Sequence, residues 1–152
     1  MKISIAAFTE GGMIPKKYTC DDANVSPPLT FGGVPAGAKS LALIADDPDA
    51  PVGTWVHWVI FNILPATKSL PENVPPEKVL SSGARQGIND FRYIGYGGPC
   101  PPGGTHRYFF KLYALDIELQ LNGGISKKDL LGAMRNHILA EAHLMGKYKR
   151  QR

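Results

Sequence analysis

The sequence predicts a mainly β chain, and three observations carry that reading. Gly (17) and Pro (13) together make up about a fifth of the 152 residues, against roughly 12% in an average protein. Every proline lies at or before Pro102. Proline breaks helix interiors and glycine weakens them, so the first two thirds cannot be a helical bundle. The apolar runs in that region are short, rich in β-branched and aromatic residues, and closed off by turn residues. A content of 43% hydrophobic and 20% charged residues is that of a globular protein rather than a disordered one. The length suits a single domain over residues 1–152 with one core.

Taken in order, Lys2–Phe8 alternates weakly and reads as a first strand. Ser26-Pro27-Pro28 and Phe31-Gly32-Gly33-Val34-Pro35 are turns. Ser40–Ala45 is an apolar run between turns, hence a buried strand, and Asp46-Asp47-Pro48-Asp49-Ala50-Pro51 leaves it, because each proline pushes its predecessor to extended geometry. Thr54–Leu64 is the clearest strand. Pro65–Asp90 has few periodic apolar positions and four prolines, a long connection of the kind that is often functional. In Gly95–Gly104, eight of ten residues are Gly or Pro. Arg107–Leu115 then alternates, with Tyr108, Phe110, Leu112 and Ala114 on one face. Asn122-Gly123-Gly124 is a turn, and Ser126 followed by Asp129 has the pattern of a helix N-cap with an acidic N3 residue. Leu130, Leu131, Met134 and Ile138 continue at helical spacing, and periodicity alone carries that helix to about Met145.

The net charge is +4, and part of it sits in the tail, in Lys147, Lys149, Arg150 and Arg152. No long basic stripe interleaved with aromatics accompanies it, so a nucleic-acid partner is not expected. The tail reads as a solvated one, with weak attraction to phosphate-rich partners as the alternative. The N-terminal apolar run is too short for a secretory signal. The most apolar stretch, Trp55–Leu64, contains His57 and Asn62 and is too short to span a membrane. Without an export signal, Cys20 and Cys100 are expected to be reduced thiols in a cytoplasmic protein, although the two could meet in space.

No phosphate-loop Gly-Lys-Ser/Thr, Gly-x-Ser-x-Gly, His-Glu-x-x-His or Cys-x-x-Cys occurs, and Gly95-x-Gly97 lacks the third glycine of a dinucleotide loop. Three polar clusters remain. Asp46, Asp47 and Asp49 stand at a strand exit, where a solvated turn is the plain reading. His57 lies inside an apolar strand between Trp55 and Trp58, where a satisfied core histidine is the plain reading. His106-Arg107-Tyr108 follows the Gly/Pro segment. Glycine backbone N–H groups can converge on an anion, and an imidazole and a phenol complete a small phosphate or carboxylate pocket. Trp58, Phe61, Phe91 and Tyr93 read as core or pocket rim, core first.

These residues carry a resemblance. Asp47-Pro48-Asp49-Ala50-Pro51, Trp55-Val56-His57-Trp58 and Gly95…Gly98-Pro99-Cys100-Pro101-Pro102-x-x-x-His106-Arg107-Tyr108 resemble the phosphatidylethanolamine-binding protein family, also known for Raf kinase inhibitor proteins. Tyr18-Thr19-Cys20-Asp21 and Asn24-Val25-Ser26-Pro27-Pro28-Leu29 resemble its compact bacterial and archaeal branch. The resemblance implies a central antiparallel sheet packed on a smaller one with Greek-key elements. It also implies one short helix near Lys127–Asn136 and a final strand near Ile138–Tyr148, in place of the longer helix that periodicity suggests. By the same resemblance the mammalian C-terminal helix beside the pocket is expected to be missing, as the sequence stops at Arg152. Asp47, His57, His106 and Tyr108 would line the anion pocket, with Pro51, Gly95, Gly98 and Pro99 supplying walls and backbone donors.

The function expected is that of a non-enzymatic binding or regulatory protein for a small phosphorylated or anionic ligand, such as a phospholipid head group, or for a phosphorylated partner. No catalytic residue, cofactor or metal is assigned. A carboxylate beside a bound phosphate must be relieved: Asp47 holds a histidine as imidazolium, or meets an ammonium on the ligand, or is protonated, and the first two need no unusual pKa. Three other readings compete. A serine protease or kinase inhibitor would act through protein contact, with Pro65–Asp90 as its exposed loop. A Cys–His hydrolase would pair Cys100 with His106, oriented by Asp47. A metal site would draw on Asp47, Asp49, His57 and His106. The oligomeric state, a homodimer included, is open.

Overall fold

The computed structural model describes residues 1–151; Arg152, the last cation of the tail, lies outside them. Its centre is strand β3, Ser40–Asp47, which is buried along its whole length. The small sheet consists of β1 (Lys2–Ser4), β2 (Leu29–Gly32) and β5 (Ser69–Leu70), in the order β1-β2-β5. The large sheet adds to β3 the strands β4 (Trp55–Ile63), β6 (Arg85–Gln86), β7 (His106–Leu115) and β8 (Ile138–Tyr148), in the order β6-β4-β3-β7-β8. Every named strand pair is antiparallel. One helix, α1, covers Lys127–Met134. The mainly β prediction and the two-sheet architecture are both found.

A central strand with both faces covered reads as a continuous apolar run, which is why Leu41–Ala45 shows no alternation. Its odd positions Leu41, Leu43 and Ala45 join Trp58, Ile60, Phe110, Leu112 and the small sheet's Ile3, Leu29 and Phe31 in one core. The even positions Ala42 and Ile44 join Val59, Phe61, Leu115, Leu119 and the helix residues Leu130 and Met134 in a second. Successive side chains of a strand point to opposite faces, so Asp46 and Asp47 part company at the strand end. Asp46, 1% exposed, lies on the helix side, with Lys127 Nζ at 2.8 Å and Lys111 Nζ at 3.1 Å. Lys127 opens α1, so this buried carboxylate fastens the helix to the sheet.

The capping box is present: Asp129 N–H donates to Ser126 Oγ at 3.2 Å, and Ser126 N–H to Asp129 Oδ2 at 3.4 Å. The helix that periodicity extends to Met145 is not found. It stops at Met134, two residues short of the resemblance, because Asn136 takes a left-handed φ of 69°, a conformation that commonly ends helices. The chain then pairs with β7 over Ile138–Tyr148, as the resemblance implies. The first strand is shorter than expected, and Ile5 and Phe8 form only an isolated bridge beyond it. β3 runs two residues further than Ala45, so the aspartates belong to the strand. The Pro65–Asp90 connection contains β5 and β6. It is fastened by Asn73 N–H to the Ser26 carbonyl at 2.9 Å and by Gln86 Nε2 to the carbonyls of Pro75 and Glu77 at 2.7 and 2.9 Å.

Cys20 and Cys100 are not thiols but a disulfide, with Cα atoms 5.4 Å apart across 80 residues of chain. That corrects the reduced-thiol expectation and removes the ground on which a reducing compartment was inferred. No helix of the described residues is long and apolar enough to cross a membrane. Closing a loop of this length restricts the unfolded chain, so replacing both cysteines by serine is expected to cost about 2–4 kcal/mol. Urea unfolding of Cys20→Ser/Cys100→Ser against the oxidised parent measures it, and equal midpoints would contradict it.

Candidate functional site

Three neighbouring strands deliver the polar residues to one end of the large sheet. Asp47 ends β3, and His106 and Tyr108 open β7 on one face, two residues apart. His57 comes from β4 by a different device. Ala45 pairs with Trp58, but Asp46 pairs with Val56, so β4 spends one extra residue there, and that residue is His57. A β-bulge of this kind re-aims the inserted side chain and is common beside functional sites. The histidine therefore interrupts the apolar strand without having to fit its alternation.

These side chains surround a cavity of about 220 Å³. Its polar lining is Asp47, His57, His106 and Tyr108; its apolar walls include Pro51, Val52, Trp55, Phe91, Pro101 and Pro102, with Cys100 of the disulfide beside them. His106 Nδ1 lies 2.7 Å from Asp47 Oδ2, and both side chains are buried. The other Asp47 oxygen accepts the Asp49 N–H at 2.7 Å. Asp49 turns outward to Arg107, accepting from its Nε at 2.9 Å, its Nη2 at 2.8 Å and its N–H at 2.9 Å. The Arg107 side chain beside Asp49 holds that carboxyl well below the usual range, at about 2. Two aspartates two residues apart thus clamp the Asp47–Pro51 turn to the start of β7.

The two histidines are not equivalent. His57 is 4% exposed, and its Nδ1 donates to the Gly97 carbonyl at 2.6 Å. A carbonyl only accepts, so Nδ1 carries the proton and Nε2 keeps its lone pair. Burial lowers the His57 pKa and keeps the ring neutral, despite the Gly97 bond and the Asp47 charge that oppose it. His57 is an acceptor towards the cavity, so of the two histidines only His106, paired with Asp47, is placed as the one a carboxylate could hold as imidazolium. His106 has Asp47 on Nδ1, and its Nε2 has no protein partner among the described residues. The Tyr108 hydroxyl is buried with no hydrogen-bond partner, and burial raises its pKa, so it stays a neutral phenol. Its ring meets that of His57 edge-on, with centroids 5.2 Å apart.

The Gly/Pro segment behaves differently from expectation. Gly95, Gly98 and Pro99 do not line the cavity. Gly95 N–H points to the Gly87 carbonyl at 3.4 Å, Gly98 N–H to Asn24 Oδ1 at 2.8 Å, and the Pro99 carbonyl accepts Cys20 N–H at 3.1 Å. Their groups are spent on fixing the wall, which leaves Pro101 and Pro102 to face the cavity. Pro51 does line it. The hydrolase reading loses its nucleophile, since Cys100 Sγ is bonded to Cys20. Asp49 is committed to Arg107, and among the described residues no three His, Cys, Asp or Glu side chains are grouped as metal ligands.

Sequence reasoning placed Trp55 only as a neighbour of His57, and Phe91 as core or rim. The two rings meet edge-on at 5.6 Å, and Phe91 also meets His57 at 5.4 Å. Buried Asn89 builds the loop that presents Phe91: its Oδ1 accepts Phe91 N–H at 2.9 Å, and its Nδ2 donates to the Gly95 carbonyl at 2.9 Å. Gly97 makes room, because a Cβ there would sit 2.5 Å from the Phe91 ring and 2.7 Å from Tyr93 Oη. The visible signal for Asn89 was its place at the end of a turn-rich connection, which does not tell a loop organiser from an ordinary turn residue.

The comparisons with known proteins agree with this fold. Residues 4–149 match the profile of the family described as phosphatidylethanolamine-binding protein, and the chain belongs to that family. A protein of Methanothermobacter thermautotrophicus named UPF0098 protein is 57% identical over 150 residues, covering 99% of both chains. The crystal structure of a phosphatidylethanolamine-binding protein homologue from Chlamydia trachomatis superposes with a TM-score of 0.91 at 44% identity, covering 99% of this chain and 97% of that one. Escherichia coli YbcL, described as a new member of the mammalian family, gives 0.87 at 34% identity, covering 99% and 98%. Membership supports a binding or regulatory role.

Two outcomes follow from this site. Gly97→Ala is expected to displace Phe91 and cost about 1–3 kcal/mol of stability, read by chemical denaturation; an unperturbed midpoint would refute the tight Gly97–Phe91 contact. For His57 the unfolded chain, with an ordinary value near 6.5, takes up the proton before the folded one. Its contribution to stability is therefore complete above that value and declines as the pH falls below it. Melting temperature should drop on acidification from about pH 7 to about pH 5, less so in His57→Gln, and identical slopes would count against a buried neutral His57.

Proposed function

We propose that the cavity binds a phosphate-type group carried on an organic stem, and that the protein acts as a non-enzymatic binding module. The observation that supports this best is the buried Asp47–His106 pair, whose unpartnered Nε2 stands beside an apolar-walled cavity. A second proton on that ring makes an imidazolium whose charge Asp47 balances, and its Nε2–H is then a donor for an anionic oxygen. Both Asp47 oxygens are already engaged, so this arrangement is favoured over a ligand ammonium meeting Asp47 directly. His57 Nε2 complements it by accepting from a protonated phosphate oxygen. Among the described residues both cysteines are bridged, and none of the lining groups is an activated nucleophile.

The walls say something about the rest of the ligand. Trp55, Phe91, Pro101, Pro102 and Val52 offer dispersion and apolar contact to a hydrocarbon or aromatic stem, and the low-dielectric surroundings strengthen the charged contact. A phosphomonoester with such a stem fits better than bare inorganic phosphate, and the head group of a phospholipid is one such ligand.

Titration calorimetry with phenyl phosphate tests the reading. His106→Gln is expected to weaken binding about tenfold or more, the loss of one charge-assisted hydrogen bond. His137→Gln and His143→Gln, at half-exposed or exposed sites outside the cavity, should leave it unchanged. Equal losses in all three variants would exclude the cavity as the site.

A further inference from the structure

The far side of the Pro101–Pro102 wall is a second concavity. It encloses about 230 Å³ and is lined by Pro101, Pro102, Gly103, Gly104, Lys149 and Arg150. Its chemistry is the reverse of the first: an apolar wall stands on the side shared with the pocket, and two cations stand on the other. The tail charge, read from the sequence as solvated, is brought to one edge of the site by β8, which pairs His106 with Tyr148.

Among the described residues the Lys149 ammonium has no acidic partner. Arg150 is oriented by Asp21, through Nε at 3.3 Å, and its two terminal nitrogens have no partner among those residues. Asp21 also accepts from Tyr148 Oη and from the Gln151 N–H at 2.9 Å and, as a carboxylate, offsets the Arg150 charge, which leaves Lys149 as the uncompensated cation. On the loop side, the N–H groups of Gly103 and Gly104 donate to nothing within the protein among the described residues. Cβ atoms built at those glycines would meet nothing within 4 Å. Backbone donors without a protein partner among the described residues, beside Lys149 and the outer nitrogens of Arg150, form an anion-binding concavity.

We propose that this groove is a second anion subsite, contiguous with the pocket across the Pro101–Pro102 wall, and that the ligand carries two acid groups on a short stem. One group is held at His106 and the other at Lys149, Arg150 and the Gly103–Gly104 donors, with the stem lying over the two prolines. The inference rests on the phosphate reading of the pocket and adds to it the ligand's second charge. Once the first group is seated, the second meets its site at high effective concentration, and the two contacts reinforce each other.

The test compares ethyl phosphate with a series of α,ω-alkane bisphosphates of increasing chain length by titration calorimetry. One member of the series should bind about tenfold more tightly than ethyl phosphate, the increment of a single charge-assisted contact. In exposed Lys149→Glu that advantage should vanish while ethyl phosphate binding is unchanged. His106→Gln should weaken both. Glycerol bisphosphate in solution, against phosphatidylcholine vesicles carrying phosphatidylinositol phosphate, distinguishes a soluble from a membrane source; either binding in a Lys149-dependent way supports the subsite. If ethyl phosphate binds and depends on His106, yet no bisphosphate exceeds it by more than the roughly twofold gain of two equivalent ends, the subsite is wrong and the pocket stands. An advantage that survives Lys149→Glu also overturns it. Failure of ethyl phosphate to bind at all removes the pocket reading, and the subsite with it.

Discussion

The contact between Asp47 and His106 is the constraint on which the site depends. It joins the last residue of the central strand to the first residue of its neighbour, with both side chains buried at the wall of the cavity. Everything nearby is arranged to keep that carboxylate and imidazole together. Asp49 N–H occupies the other Asp47 oxygen, Asp49 itself grips Arg107, and the Asp47–Pro51 turn cannot swing away from β7 without breaking both. A polar pair buried this way is costly unless each partner is satisfied, and here the neutral amide of Asp49 and the histidine ring do so. What is left over is one ring nitrogen facing an apolar cavity, and that remainder is the chemically useful part.

The frame around it was legible in the sequence to different degrees. β4, β7 and the capping box of α1 announce themselves through β-branched runs, strict alternation and the Ser126/Asp129 pair, because those signals are local. The end of α1 was not readable from periodicity. Met134, Ile138, Ala142 and Met145 fit a helix as well as any core helix does, and only the left-handed Asn136 and the open edge of β7 decide otherwise. A competing strand partner is a tertiary fact, absent from any window of sequence. The same holds for Cys20 and Cys100, which the fold brings together across most of the chain.

Within the site, residue types were readable and roles were not. Asp47, His57, His106 and Tyr108 line one cavity, but the two imidazoles differ, because one is buried against a carbonyl and the other against a carboxylate. Composition suggested that the glycines of Gly95–Gly104 would donate to a ligand. Instead Gly97 is small so that Phe91 can pack, and Gly98 so that the Tyr18–Asn24 segment can approach. Gly97 and Gly98 shape the wall, and the prolines after Cys100 face the cavity. That division follows from close packing, which a count of glycines does not register.

Asp46 and Asp47 are adjacent, chemically identical and opposed in duty. One anchors a helix through Lys127, with Lys111 of β7 beside it, on one face of the sheet; the other orients a histidine on the opposite face. Their assignment depends only on the parity of β3. Loss or gain of a single residue between Ser40 and Asp46 would turn over the side chains that follow it relative to those before, sending the helix anchor into the cavity and the cavity's carboxylate under the helix. The length of this strand is therefore as much a determinant of chemistry as its composition. Among descendants of such a chain, apolar exchanges of similar volume within Leu41–Ala45 keep this division of duty, and single-residue insertions or deletions do not.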